Sequence, residues 1–357
     1  MIEQLVLALM LVGITLYAVL GGADFGAGIW DLTAGSAKGG AHMRGVIERS
    51  MGPVWEANHV WLIFVLVVCW TAFPIFFGSL MSSLWIPMAI AAFGIILRGS
   101  AFALRGQAAT INEARALGAT FALSSVIVPF ALGTVIGGIA SGQVVYGNAA
   151  TDVWTVFLNP FSIFVGVLAV VLCAYLAAIF LVGDATRMKD PEMVAAFRGR
   201  ALISGSLAGL LALAGLPIAK SHATYLYDGL TSGMGLICVI ASMLAGIVTL
   251  VMIWRGVAQW PRLTAAVAVG AVTAGWGFAQ APYLLPPGPA GSTLKLVDGA
   301  GNQTTLLWLV IAVVFALLFI VPSLAWLYKL TLTGAIEPAA HDYEKLDQPD
   351  KGVKPLP

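Results

Sequence analysis

The sequence predicts an all-α integral membrane protein with nine transmembrane helices, its N-terminus outside and its C-terminus cytoplasmic. Three observations predict it. Hydrophobic residues make up 60% of the 357-residue chain and charged residues only 10%, whereas a soluble domain carries about 25% charged residues. Apolar stretches long enough for a bilayer core, which asks for about 20 residues per helix, recur from end to end. Between these stretches, Lys and Arg alternate between abundance and near absence.

The spans run 4–30, 53–77, 79–104, 118–140, 160–183, 201–220, 231–254, 263–282 and 305–330. Met1-Ile2-Glu3-Gln4 lacks the basic region of a signal peptide, so the first span is read as uncleaved. Its Gly21, Gly22, Ala23, Gly26 and Gly28 form a face on which another helix can approach closely. Pro74 with Gly78-Ser79 predicts a tight turn between the second and third spans. Residues 283–304, rich in Pro and polar groups, read as a loop, and 334–357 as a polar cytoplasmic tail. The whole of 1–333 is taken as one membrane domain.

Basic residues crowd cytoplasmic loops. With nine spans, one side receives Lys38, Arg44, Arg49, Arg105, Arg115, Arg187, Lys189, Arg198, Arg200, Arg255, Arg262, Lys329, Lys345, Lys351 and Lys354; the other receives Lys220 and Lys295. Dropping one span would scramble this asymmetry. No basic cluster suits nucleic acid, and Cys69, Cys173 and Cys238 all lie in apolar runs without C-x-x-C spacing, as small packing residues do.

Ionisable residues inside a span point to function. Here they are Asp24, Glu56, His59 and Arg98, with Asn58 beside them. The topology puts all of them near the cytoplasmic leaflet, on three different helices. Glu56 and His59 are i, i+3 and share a helix face, with Trp55 four residues before His59 and Trp61 just beyond. Such a carboxylate and imidazole can carry protons; the other reading is a structural ion pair in which Arg98 neutralises Asp24 or Glu56. His42, His59, His222 and His341 offer no pair at ligand spacing, so no metal or haem is expected on this chain's own ligands.

Four stretches, "LGGADFGAGIWDL" (20–32), "MGPVWEANHVWLI" (51–63), "ILRGSAFALRG" (96–106) and "GWGFAQAPYLLPP" (275–287), together resemble subunit II of the cytochrome bd quinol oxidases. The resemblance covers nearly the whole chain. It implies a four-helix bundle at about 4–140, a second at about 160–282 and a peripheral ninth helix at about 305–330. It implies a haem-bearing subunit I as partner, holding two b-type haems and one d-type haem, and leaves room for small accessory subunits. The complex would oxidise quinol and reduce oxygen to water in the bacterial cytoplasmic (inner) membrane. Subunit II would carry no haem and would supply a proton route from the cytoplasm; a structural quinone is possible. Residue by residue, Glu56 and Asp24 match the family's acids, Trp55, Asn58, His59 and Trp61 complete the second-helix motif, and Gln280, Pro282 and Tyr283 match its Q-x-P-Y pattern. One departure stands out. Many relatives carry an acid two residues before the arginine of the third-helix motif, where this chain has Ala103 before Arg105, leaving water or Glu113 to serve. The competing readings are a proton-coupled secondary transporter, whose site would lie at the midplane, and a scaffold with packing roles alone.

Overall fold

Lipid tails are as apolar as leucine, so membrane helices gain nothing by hiding apolar side chains from them; association rests on close packing and polar contacts. The computed structural model describes residues 1–36, 39–51, 55–105, 108, 110–147 and 152–333, without the side chains of 55–57, 111, 328, 331 and 332. The tail from 334 onward lies outside the described residues.

The first span is α1 (Ile2–Leu16), a π-helical turn (Tyr17–Gly21) and α2 (Gly22–Leu32). Then follow α3 (Ala41–Met51), α4 (Trp55–Ala72), α5 (Pro74–Ser83), α6 (Trp85–Arg105), α7 (Ile111–Ala140), α8 (Val153–Phe157), α9 (Pro160–Arg187), α10 (Pro191–His222), α11 (Thr224–Leu230), α12 (Gly233–Trp254) and α13 (Pro261–Gln280). A two-stranded antiparallel hairpin, β1 (Tyr283–Leu285) and β2 (Leu294–Lys295), leads through α14 (Leu296–Gly299) into α15 (Gln303–Leu332). Among the described residues, eight helices are long and apolar enough to cross a bilayer. The remaining expected span, 53–77, is a bent pair, Asn58–Ala72 and Pro74–Ser83, at 116° to each other.

The bend corrects the expected turn. Gly78 and Ser79 lie inside α5, and the chain breaks at Phe73 and again at Leu84. Proline lacks an N–H and drives the residue before it out of helical conformation; Phe73 accordingly sits at φ −130°, ψ 60°. Further elements were not expected, among them a hairpin and a short amphipathic helix. The presumed loop 283–304 contains the hairpin, and the basic segment after the first span contains α3. In α3, Met43, Val46, Ile47 and Met51 form one buried stripe at helical spacing; its polar average hid it among loop residues. α7 starts before the expected residue 118, because Thr110 and Glu113 close a capping box.

α9 is the centre of the packing. From Cys173 to Ala185 it is buried almost without interruption, and it lies against α2, α7 and α10. The small residues of the first span are what admit it. A Cβ on Gly26 would overlap the Cys173 carbonyl of α9, and one on Gly28 would overlap the Ser125 hydroxyl of α7. α12 and α15 turn most of their apolar surface outward. Gly26→Ala should therefore lower stability by about 1–3 kcal/mol, read as a fall in the thermal midpoint of the detergent-solubilised protein. Gly45→Ala, mid-helix in α3 where a Cβ meets nothing within 4 Å, should not lower it and should raise it slightly.

Candidate functional site

The sharpest polar feature is a pair of buried arginine–aspartate contacts in the same register. Asp24 and Asp31 stand seven residues apart on α2, and Arg98 and Arg105 stand seven apart on α6. Two helices that run the same way with the same rise can match both pairs at once. Arg98 Nη1 donates to Asp24 Oδ2 at 2.7 Å, and Arg105 Nη1 to Asp31 Oδ2 at 2.7 Å.

Arg98 is almost wholly enclosed, at 1% exposure. Its Nη2 donates to the Asp24 carbonyl at 3.0 Å and its Nε to Ser125 Oγ at 3.0 Å. The Phe25 and Phe121 rings lie against the guanidinium at 4.9 and 4.8 Å. Asp24 Oδ1 is buried and takes no hydrogen bond from a described group. Of the two partners the sequence offered Arg98, the structure places it on Asp24.

His59, on α4, faces this pair. Its Nε2 lies 4.0 Å from Asp24 Oδ2, and its Nδ1 lies 3.5 Å from the Tyr17 hydroxyl. Asn58 is buried and donates to the Leu20 carbonyl at 3.3 Å, inside the π-helical turn. Glu56 and Trp55 occupy the first turn of α4; their side chains lie outside the described residues. Trp61 is buried, edge-on to Phe64 with ring centres 6.1 Å apart. Gln280 is remote from the cluster. It accepts from Trp276 Nε1 at 2.8 Å and donates to the Leu284 carbonyl at 2.9 Å, tying the end of α13 to the hairpin.

The second pair was not anticipated as a site. Asp31 also takes a hydrogen bond from Arg44 Nε at 2.8 Å, and Glu48 Oε1 lies 3.5 Å from Arg105 Nε. Arg44 and Glu48 both come from α3, so this short helix is ion-paired to α2 and α6. The i, i+7 spacing shared by the two aspartates and the two arginines was the available signal. Glu113, offered as a stand-in for the missing acid at 103, is exposed and engaged in the cap of α7; Glu48 and Asp31 are the carboxylates beside Arg105. A third cluster joins α9 to α13, where Arg262 donates to Asp184 Oδ1 at 2.7 Å and to the Phe180 carbonyl. Among the described residues, no three His, Cys, Asp or Glu side chains come together as a metal site.

A family model described as cytochrome bd terminal oxidase subunit II matches residues 2–331. The chain belongs to that family. Over 126 residues it is 29% identical to the cytochrome bd ubiquinol oxidase subunit 2 of Bacillus subtilis (strain 168), a match covering 35% of this chain and 36% of that protein. The putative cytochrome bd menaquinol oxidase subunit II of the same organism is 23% identical over 330 residues, 88% of this chain and 91% of the relative. The solved bd oxidase from Geobacillus thermodenitrificans shares the fold, with a TM-score of 0.71 at 24% identity over 93% of this chain and 99% of that one. As a cytochrome bd oxidase subunit II, the chain is a multi-pass membrane protein of an electron-transport complex.

In this subunit II the Asp24–Arg98 pair is buried deeply enough that removing one partner strands a charge. Arg98→Met should lower stability by about 3–5 kcal/mol, measured by thermal unfolding of the purified protein. The double variant Asp24→Asn/Arg98→Met should recover part of that loss, because neither charge is then left alone.

Proposed function

We propose that this chain is the haem-free subunit II of a cytochrome bd-type terminal oxidase in a bacterial cytoplasmic membrane, and that Glu56, His59, Asp24 and Asn58 form a proton route from the cytoplasm. In this reading a haem-bearing subunit I oxidises quinol and reduces oxygen; its two b-type haems and one d-type haem supply the redox chemistry. Ubiquinol and menaquinol are the donors named for the two relatives. Reducing one dioxygen to water consumes four protons, and drawing them from the cytoplasm while quinol releases its own outside separates charge across the membrane.

The observation that carries the reading is His59. An imidazole titrates near physiological pH, and this one faces a buried carboxylate while Glu56 precedes it by one turn of α4. Asp24, held by Arg98, lies within 4.0 Å of the ring. Asn58 braces the widened backbone of the first span, and Trp61 packs against Phe64 on the same helix. Two bundles with a peripheral ninth helix, the N-terminus outside, complete the arrangement. The charge pattern supports that orientation, because Arg44, Arg49, Arg105, Arg187 and Arg262 then share the cytoplasmic side. A proton-coupled secondary transporter gains no support from the relatives, which are named as oxidase subunits.

Glu56→Gln is the direct test. The variant should assemble with its haem-bearing partner, seen as a co-eluting larger subunit with a red-region d-type haem band. Its quinol oxidation should fall by on the order of 100-fold, the scale of a lost proton-transfer group. Wild-type turnover in an assembled Glu56→Gln complex would remove Glu56 from the route. A chain that purifies stably without any haem partner would sink the oxidase reading itself.

A further inference from the structure

We propose that Tyr17 is a positioning residue for His59, holding the imidazole through Nδ1 so that Nε2 faces Asp24. The inference rests on the proton-route reading above.

Both ring nitrogens of His59 look at the first span. Nε2 faces Asp24 and Nδ1 faces the Tyr17 hydroxyl, at 4.0 and 3.5 Å. The phenol ring has a seat made for it. It stands 6.0 Å from the imidazole and edge-on to Phe25 at 6.4 Å, while Phe25 is edge-on to His59 at 5.8 Å. A Cβ on Gly21 would come within 2.9 Å of the Tyr17 ring, so a larger residue there would push the hydroxyl off its mark. Tyr17 and Gly21 are the two ends of the π-helical turn. Such single turns are rare within α-helices and fall frequently at functional sites.

The chemistry follows from the two neighbours. A bare Nε2 lone pair aimed at an anionic oxygen is repulsive, so the Asp24 carboxylate keeps the proton on Nε2. In the neutral ring Nδ1 is then an acceptor, and the Tyr17 hydroxyl donates to it. In the protonated ring both nitrogens carry hydrogen, and the same hydroxyl is turned to accept from Nδ1. A phenol serves both states because it is donor and acceptor at once. Among the described residues, the charged and titratable groups around the pair include Asp24 from α2 and Arg98 from α6, with Cys173 of α9 in the apolar cluster against which Tyr17 packs.

The test uses the assembled oxidase complex carrying Tyr17→Phe, which keeps the ring and removes the hydroxyl. Thermal midpoint and haem content should match the wild type. Turnover should fall by about 10-fold, as for a lost hydrogen bond to a group that carries charge. Three readouts that packing alone would not move should change with it: the pH profile of turnover, its solvent deuterium isotope effect, and the histidine tautomer seen by ¹⁵N labelling of His59. Gly21→Ala, which displaces the ring and spares the hydroxyl, should give the same kinetic defect, and it stands in if Tyr17→Phe fails to assemble. Wild-type rate, pH profile and tautomer in Tyr17→Phe, with Asp24→Asn and Glu56→Gln still slow, would overturn the role of Tyr17 and leave the route intact. Wild-type rates in all three variants would overturn the route as well.

Discussion

Arg98 and Asp24 meet where neither could remain charged alone. In the bilayer interior an isolated ion is costly enough that it must be paired, hydrogen-bonded or neutralised. This pair meets the requirement fully on the arginine side, with a carboxylate, a backbone carbonyl, a serine hydroxyl and two aromatic faces around one guanidinium. The contact joins α2, α6 and α7, and the glycines of α2 let α9 close on the same helix. The carboxylate so held also faces the His59 ring, which ties α4 to the same contact.

The second pair repeats the design two turns along, nearer the arginine-rich end of the spans. Asp31 lies between Arg44 and Arg105, and Glu48 adds a further carboxylate from α3. The helix that follows the first span is thereby ion-paired to α2 and α6 just ahead of the segment that opens α4. The departure at Ala103 has its physical counterpart here. The side chain two residues before Arg105 carries no charge, and the acids around Arg105 arrive instead from α2 and α3.

Much of the fold was legible in the sequence because membrane helices obey two blunt constraints. Each needs a long apolar run, and basic residues gather on one side. The site was legible in part for a related reason: charge within an apolar run is rare enough to stand out, so Asp24, His59 and Arg98 declared themselves. Asp31 and Arg105 did not, because each sits at the edge of a span, where charge is ordinary. α3 was hidden by its polar average, although its apolar stripe has helical spacing.

Sequence by itself determined which residues are apolar enough to span, which charges lie among them, and the family to which their motifs point. Only the tertiary structure decided the partners. Arg98 could have neutralised Asp24 or Glu56 on the sequence alone, since both lie at similar depth. The choice belongs to the register of α2 against α6, in which one offset satisfies two arginines together. The break ahead of Pro74 likewise needed the three-dimensional path, because proline marks where a helix must stop without saying at what angle the next begins. Tyr17, an ordinary aromatic within an apolar run, acquired its meaning only when the π-helical turn brought its hydroxyl to His59.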